Sequence, residues 1–254
     1  MIKIEALSKR FGELAAVDNL NLEIKSGEIF GFLGPNGAGK TTTVKILSGL
    51  MYPTSGKAEI DGFDIVLQPE EAKRIMALVP DEPFVYPKLT GSEFMYFIGD
   101  LYSVPVGKQE ERIPKLLGMF DMDRWKDELL ESYSHGMRQK LVLASVLLRE
   151  PKVVLLDEPM VGLDPKSARL VRDIIRQLAA SGVTIFMCTH TLELAEKLCD
   201  RIGIMYEGRL RELGTVDELR ARAGSGITDS QGNRINLEDI FLTLTEGKEY
   251  AAMI

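Results

Sequence analysis

The chain has 254 residues, 31 Lys and Arg against 38 Asp and Glu, a net charge of −7 and two cysteines. That length buries a substantial core, and the acidic balance offers no broad basic field to a phosphate backbone, so no nucleic acid is expected as a partner. The N-terminus mixes charge and hydrophobe, unlike an export leader, the apolar run Leu141–Leu148 is too short to cross a bilayer, and Cys188 and Cys199 have neither metal nor redox spacing; a reduced, cytoplasmic protein is expected.

Ile2–Leu7 and Asn19–Ile24 alternate with period two, with Ile2, Ile4, Leu20, Leu22 and Ile24 on one face, which predicts half-exposed antiparallel strands. Glu28–Leu33 reads as a short apolar strand. It runs into GPNGAGKTT, Gly34 to Thr42, which matches every fixed position of G-x-x-x-x-G-K-[ST]. Thr42–Leu50 follows with Val44, Ile46, Leu47 and Leu50 at near-helical spacing, so the motif lies between strand and helix. Glycines 34, 37 and 39 permit a tight turn whose N–H groups converge in a nest in front of a helix N-terminus, which is an anion site. Gly34, Pro35, Asn36, Gly37, Ala38, Gly39, Lys40, Thr41 and Thr42 are therefore the candidate nucleotide-binding residues. Lys40 is placed to reach the β and γ phosphates as a point charge, and Thr41 to offer its hydroxyl to Mg2+.

Lys57–Ile60, bounded by Ser55-Gly56 and Asp61-Gly62, extends the small N-terminal sheet. From Ser92 to Glu150 the period becomes helical: Phe94, Phe97, Ile98 and Leu101 form one face, Ile113, Leu116, Leu117 and Phe120 a second, and Leu141–Leu148 a third helix. Strand Val153–Leu156, helix Pro165–Ala180, strand Thr184–Cys188, helix Leu192–Leu198 and strand Ile202–Tyr206 then alternate, which indicates a mostly parallel core. VVLLDEP, Val153 to Pro159, ends its strand in two adjacent carboxylates. Behind a phosphate loop, Asp157 is the candidate metal ligand and Glu158 the base for an attacking water, because such strands present their C-terminal ends to one crevice. A short helix, Val216–Arg222, leads to Gly224-Ser225-Gly226, and Leu237, Ile240, Phe241 and Leu244 predict an amphipathic terminal helix.

YSHGMRQK (Tyr133 to Lys140), between the phosphate loop and the acid pair, resembles the LSGGQ signature of ATP-binding cassette (ABC) ATPases. GLDP (Gly162 to Pro165) is similar to the family's D-loop, and THTLELAE (Thr189 to Glu196) to its switch-histidine segment. The branch most resembled comprises exporter ATPases for drugs, antibiotics or polysaccharides, which commonly carry YSHGMRQ-like signatures and a stretch similar to LEDIFLTLT (Leu237 to Thr245). The resemblance implies an α/β fold: a P-loop NTPase core with a mostly parallel sheet, an N-terminal antiparallel β-subdomain and an inserted α-helical subdomain. It divides the chain into an ATPase domain, 1–222, with the insertion at about 85–150, and a short C-terminal extension, 223–254.

The resemblance also implies ATP and Mg2+ as ligands, Phe11 stacked on adenine, Glu158, His190 and Lys40 as catalytic residues, and Asp164 in the D-loop. Thr41, Asp157 and Asp81 are its metal-side residues, and Ser134, His135, Gly136 and Met137 are its signature, acting on a partner's ATP. The chemistry of the signature agrees: Ser134 is a good N-cap, and the helix it opens directs N–H groups near Gly136 at an external anion. With Lys40 on one side of the phosphates, that second site reaches the same γ-phosphate only from another molecule. Departures are Asp81, where the family usually has Gln, and His135 and Met137, where it has Gly and Gln. A carboxylate accepts from water or binds Mg2+ but cannot donate, and the His135 imidazole is expected to point away from nucleotide.

The implied function is an ATP-hydrolysing subunit, working as a homodimer or heterodimer, that drives a separate transmembrane permease and sits peripherally on the inner face of the membrane. Phe84, Val85 and Tyr86, in the Asp81–Pro87 loop, either dock on the permease or pack internally, and Ile240, Phe241 and Leu244 are candidates for a dimer contact. The alternative is a non-transport family member with a regulatory, immunity or nucleic-acid-associated role; the single cassette lacks the tandem cassettes, sustained heptads or zinc spacing general among the last group.

Overall fold

Two strands, β1 (Ile2–Phe11) and β2 (Leu14–Ile24), open the chain as an antiparallel hairpin. The structure, a computed structural model, describes residues 1–223 and 237–246; the Gly224-Ser225-Gly226 piece lies outside them. Both strands run further than their period-two segments, because Ala6 of β1 and Asn19 of β2 take left-handed conformations (φ 49° and 53°) and the ladder shifts register between Ile4 and Leu7. The irregularity reverses parity, so Ile2, Ile4 and Leu7 all face the core.

Every residue of β3 (Ile29–Leu33) is buried, as for a central strand covered on both faces. Helix α1 (Lys40–Leu47) begins at Lys40, earlier than the expected Thr42. Val44, Ile46 and Leu47 are buried, but Leu50 lies past a left-handed Gly49 and is exposed instead of completing the helix face. β4 (Ser55–Ile60) and β5 (Phe63–Asp64) complete a four-stranded antiparallel sheet in the order β2-β1-β4-β5. Helix α2 (Pro69–Ile75) and strand β6 (Met76–Val79), neither anticipated from periodicity, come next.

The insertion holds α3 (Gly91–Leu101), α4 (Val106–Met119) and α5 (His135–Leu148). A capping box starts α3: Glu93 N–H donates to Thr90 Oγ1 (3.2 Å) and Thr90 N–H to Glu93 Oε2 (2.8 Å). Phe94, Ile113, Leu116, Leu117, Phe120 and Leu141 join one core with the sheet, whereas Phe97 and Leu101 are exposed and depart from the expected face. Of the three loop residues only Val85 takes the internal alternative and packs into this core; Phe84 and Tyr86 stay exposed.

β7 (Val153–Asp157), α6 (Pro165–Ala180), β8 (Thr184–Thr189), α7 (Leu192–Leu198) and β9 (Arg201–Tyr206) follow the expected alternation, and β10 (Arg209–Gly214) adds an antiparallel edge. The six-stranded order is β10-β9-β3-β8-β7-β6, with parallel pairing from β9 through β6. The C-terminal ends of β3, β8 and β7 therefore stand side by side. On the face toward the N-terminal sheet, Phe32 and Phe186 pack with ring centroids 5.1 Å apart, and burying each ring contributes about 1.5–3 kcal/mol.

Gly31 in β3 has no room for a side chain, since a Cβ there would sit 2.8 Å from Cys199 Sγ at the end of α7. Both cysteines are free, Cys188 buried and Cys199 partly so, and burial raises their thiols, Cys199 to about 12. Helices α8 (Val216–Ala223) and α9 (Leu237–Glu246) close the described chain. Leu237 and Ile240 are buried with Leu33, Ala195, Ile202, Ile204 and Leu219, so Ile240 faces its own chain and not a dimer surface.

Candidate nucleotide site

The phosphate loop spans the end of β3 and the start of α1. Gly37 and Gly39 have φ of 81° and 106°, a region open to glycine at little cost. Gly39 also needs the space: a Cβ would lie 2.3 Å from the Ala16 carbonyl of β2. Asn36 and Gly37 are exposed at the rim, while Gly34, Ala38, Gly39 and Lys40 are buried. The Lys40 ammonium donates to the Gly34 and Pro35 carbonyls at 2.5 and 3.1 Å. Its charge is thus parked across the loop in which a phosphate would compete for it. Phe11 ends β1, 48% exposed, with Lys9 Nζ 5.2 Å from its ring centroid; β2, which follows it, is the strand whose Ala16 packs on the loop.

Asp157 ends β7 and is 6% exposed. Burial, then the nearby Asp81 charge, raise its carboxyl above the ordinary range, and a hydrogen bond with Thr41 pulls the other way. Thr41 and Asp81 thus both act on Asp157. Among the described residues no group of three or more His, Cys, Asp and Glu could hold a metal by itself. One buried carboxylate, a second charge and a hydroxyl fit Mg2+, which keeps waters and takes phosphate oxygens in place of an all-protein cage.

Glu158 has φ 48°, rare for a residue with a side chain. Its N–H donates to the Cys188 carbonyl at 3.0 Å, continuing the β7–β8 ladder. Both carboxylate oxygens are engaged: Oε1 lies 2.8 Å from His190 Nδ1, and Oε2 accepts from Thr189 Oγ1 at 3.1 Å. The Glu158 side chain is 15% exposed and that of His190 62%. Thr189, which the sequence reading passed over, is 1% exposed; a hydroxyl immediately before the switch histidine was the available signal.

The signature residues assemble elsewhere. Ser134 caps α5 by accepting from Met137 N–H at 3.3 Å, and Ser134 and His135 are exposed. This turn lies on the D-loop: a Cβ at Gly136 would meet the Gly162 carbonyl at 2.7 Å, and one at Gly162 would meet His135 Cδ2 at 2.5 Å. Asp164 caps α6, accepting from Ser167 N–H and Oγ at 3.0 and 2.5 Å, and Lys140 Nζ stands 3.6 Å away. The Ser167 bonds hold its carboxyl down at about 2. The site residues thus form two groups, one around Lys40, Asp157 and Glu158, the other joining the signature turn to the D-loop.

A family model described as ABC transporter matches residues 17–161. Similar proteins include the linearmycin resistance ATP-binding protein LnrL of Bacillus subtilis strain 168, 34% identical over 88% of this chain and 72% of that one. The daunorubicin resistance ATP-binding protein DrrA3 of Streptomyces coeruleorubidus is 37% identical over 90% and 72%. A solved ATP-binding subunit of an ABC transporter superposes with TM-score 0.88 at 30% identity, covering 96% of this chain and 99% of that one. A dimeric ATP-binding cassette in a post-hydrolysis state with ADP and Pi gives 0.77 at 26% identity, over 85% and 98%. With these sequence matches and an ordered set of phosphate loop, signature and acid pair, the chain belongs to the ABC transporter family.

Proposed function

We propose that this chain is the ATPase subunit of a membrane exporter. Two such subunits, identical or paralogous, close head to tail on ATP, and their motion drives a separate transmembrane permease. ATP would lie on the phosphate loop with Phe11 against adenine. Gly34, Pro35, Asn36, Gly37, Ala38, Gly39, Thr41 and Thr42 surround its phosphates, and Lys40 leaves the loop carbonyls for them. Ser134, His135, Gly136 and Met137 of the second subunit approach from the far side, beside that subunit's Asp164. Thr41, Asp157 and Asp81 would hold Mg2+, which when bound neutralises phosphate charge. Glu158 takes the proton of the attacking water and His190 contacts the γ-phosphate or that water, so catalysis rests on positioning and charge stabilisation.

Residues 1–222 are the ATPase domain in this reading, with the helical insertion at about 85–150, and 223–254 the extension. The relatives' names speak of resistance to linearmycin and to daunorubicin, and a drug-like or antibiotic-like substrate carried by the permease is the corresponding proposal. The chain then works at the inner face of the membrane; no helix among the described residues is long and apolar enough to cross it. The observation that carries the proposal is the meeting of Lys40, which opens α1 behind β3, with Asp157 and Glu158 at the end of β7, apart from a signature turn with exposed Ser134 and His135.

The test is Glu158→Gln. Turnover is expected to fall by about 100-fold or more, while MgATP still binds and light scattering registers a nucleotide-dependent dimer. Wild-type turnover would reject Glu158 as the base, and monomers alone at saturating nucleotide would reject the head-to-tail pair.

A further inference from the structure

We propose that Thr189 is a positioning residue for the base: its hydroxyl fixes the Glu158 carboxylate so that Oε1, and not Oε2, is the oxygen left for water. The inference rests on the reading of Glu158 given above and adds a residue to that site.

Thr189 ends β8, is 1% exposed, and pairs in register with Leu33 of β3, immediately before the phosphate loop. Its Oγ1 accepts from Thr191 N–H at 3.0 Å and donates to Glu158 Oε2 at 3.1 Å. A hydroxyl has one proton. With a backbone N–H occupying a lone pair, that proton is directed at the carboxylate. The terminal torsion of a glutamate is soft and roughly two-fold, so without this donor the carboxylate plane at a strand end is free to turn.

The two partners of Glu158 differ in what they can do. His190 is mostly exposed, with a side-chain exposure of 62%, and sits past the strand, so it can leave Oε1 for a phosphate. Thr189 is buried within the sheet and cannot follow. Departure of His190 therefore vacates Oε1 while Oε2 stays held. Oε1 then takes the water proton as the water oxygen bonds to the γ-phosphorus; the bond from that phosphorus to the β–γ bridging oxygen breaks, and its electron pair stays on ADP. Thr189 exchanges no proton in this step.

Thr189→Val keeps the shape and removes the hydroxyl. The kcat for ATP is expected to fall about 10- to 100-fold, as for loss of a hydrogen bond to a charged group, with KM within about twofold. Thr189→Ser should restore kcat to within about threefold, which a packing role for the methyl group would not do. If Thr189→Val does not fold, Thr189→Ala carries the same expectation. In a Glu158→Gln background the valine is expected to add nothing further. Wild-type kcat in Thr189→Val, a raised KM with unchanged kcat, or failure of the serine to restore turnover would each overturn the proposal. An inactive Glu158→Gln beside a fully active Thr189→Val defeats only the role of Thr189; an active Glu158→Gln defeats the assignment of the base itself.

Discussion

His135 stands where the family signature has a glycine, and its ring lies on the one residue of the D-loop that has no side chain. Gly162 holds φ 75°, and a Cβ there would come within 2.5 Å of the ring, closer than nonbonded carbons approach. Gly162→Ala is expected to cost about 1–3 kcal/mol of stability, part from the left-handed backbone and part from the ring. Adding His135→Gly should recover the ring's share and leave about 1–2 kcal/mol of backbone strain. Urea unfolding of the two single variants and the double gives the coupling; strictly additive losses would show that His135 and Gly162 do not constrain each other. The sequence places the imidazole away from nucleotide, but not on Gly162, because a contact with bare backbone leaves no pattern in residue types. Lys40, Thr41, Asp157 and Glu158 are legible for the opposite reason: each belongs to a contiguous motif whose residue types state the chemistry. Thr189 is not, since its bond to Glu158 exists only once Asp157 and Cys188 are paired across β7 and β8.

Helix α9 bears on the element scale. Its first N–H, at Leu237, donates to Glu196 Oε1 of α7 at 3.1 Å, and Arg220 of α8 lies 3.1 Å from the same oxygen. Leu237, 0% exposed, fills the cluster that contains Leu33 of β3 and Ala195 of α7, so α9 braces the helix that follows His190. Leu237→Ala is expected to cost about 2–5 kcal/mol and to shift the main unfolding transition of the whole chain. A main transition that stays put, with any loss confined to a separate minor step, would mean that α9 is an appendage. The amphipathic pattern of Leu237, Ile240, Phe241 and Leu244 marks a helix with an apolar face but does not say whose surface covers it. Other elements divide similarly. α6, β8 and α7 are legible from strong periodicity; α2, with Ala72 as its buried residue, buries too little to leave a clear signal, and in β10 a register shift between Leu210 and Glu212 breaks the period-two pattern.

At the scale of the molecule, the question is how an event at the γ-phosphate reaches a membrane partner. β6 lies beside β7 in the sheet, and the loop after it begins near Asp81, whose charge acts on Asp157. A few residues on, Val85 is anchored in the core while Phe84 and Tyr86 turn outward, 73% and 45% exposed. Tyr86 touches both Phe84 and Phe97 of α3 edge-on, at centroid distances of 5.7 and 5.2 Å. One short loop thus joins Asp81, whose charge acts on Asp157, to an outward aromatic cluster that reaches α3 of the insertion, and on the proposed function that cluster docks on the permease. Exposed rings contribute little to folding, whereas aromatic anchors at the centre of an interface are worth about 2 kcal/mol or more each, about 30-fold in affinity. Phe84→Ser combined with Tyr86→Ser is therefore expected to leave ATPase activity of the isolated chain within about twofold while reducing recovery of the integral membrane partner from native membranes by about tenfold or more. Tyr52→Ser, at a residue 74% exposed and outside the cluster, is the matched control. Undiminished recovery of the partner with the double variant, or an equal loss with Tyr52→Ser, would remove the aromatic cluster as the route by which this subunit moves the membrane protein.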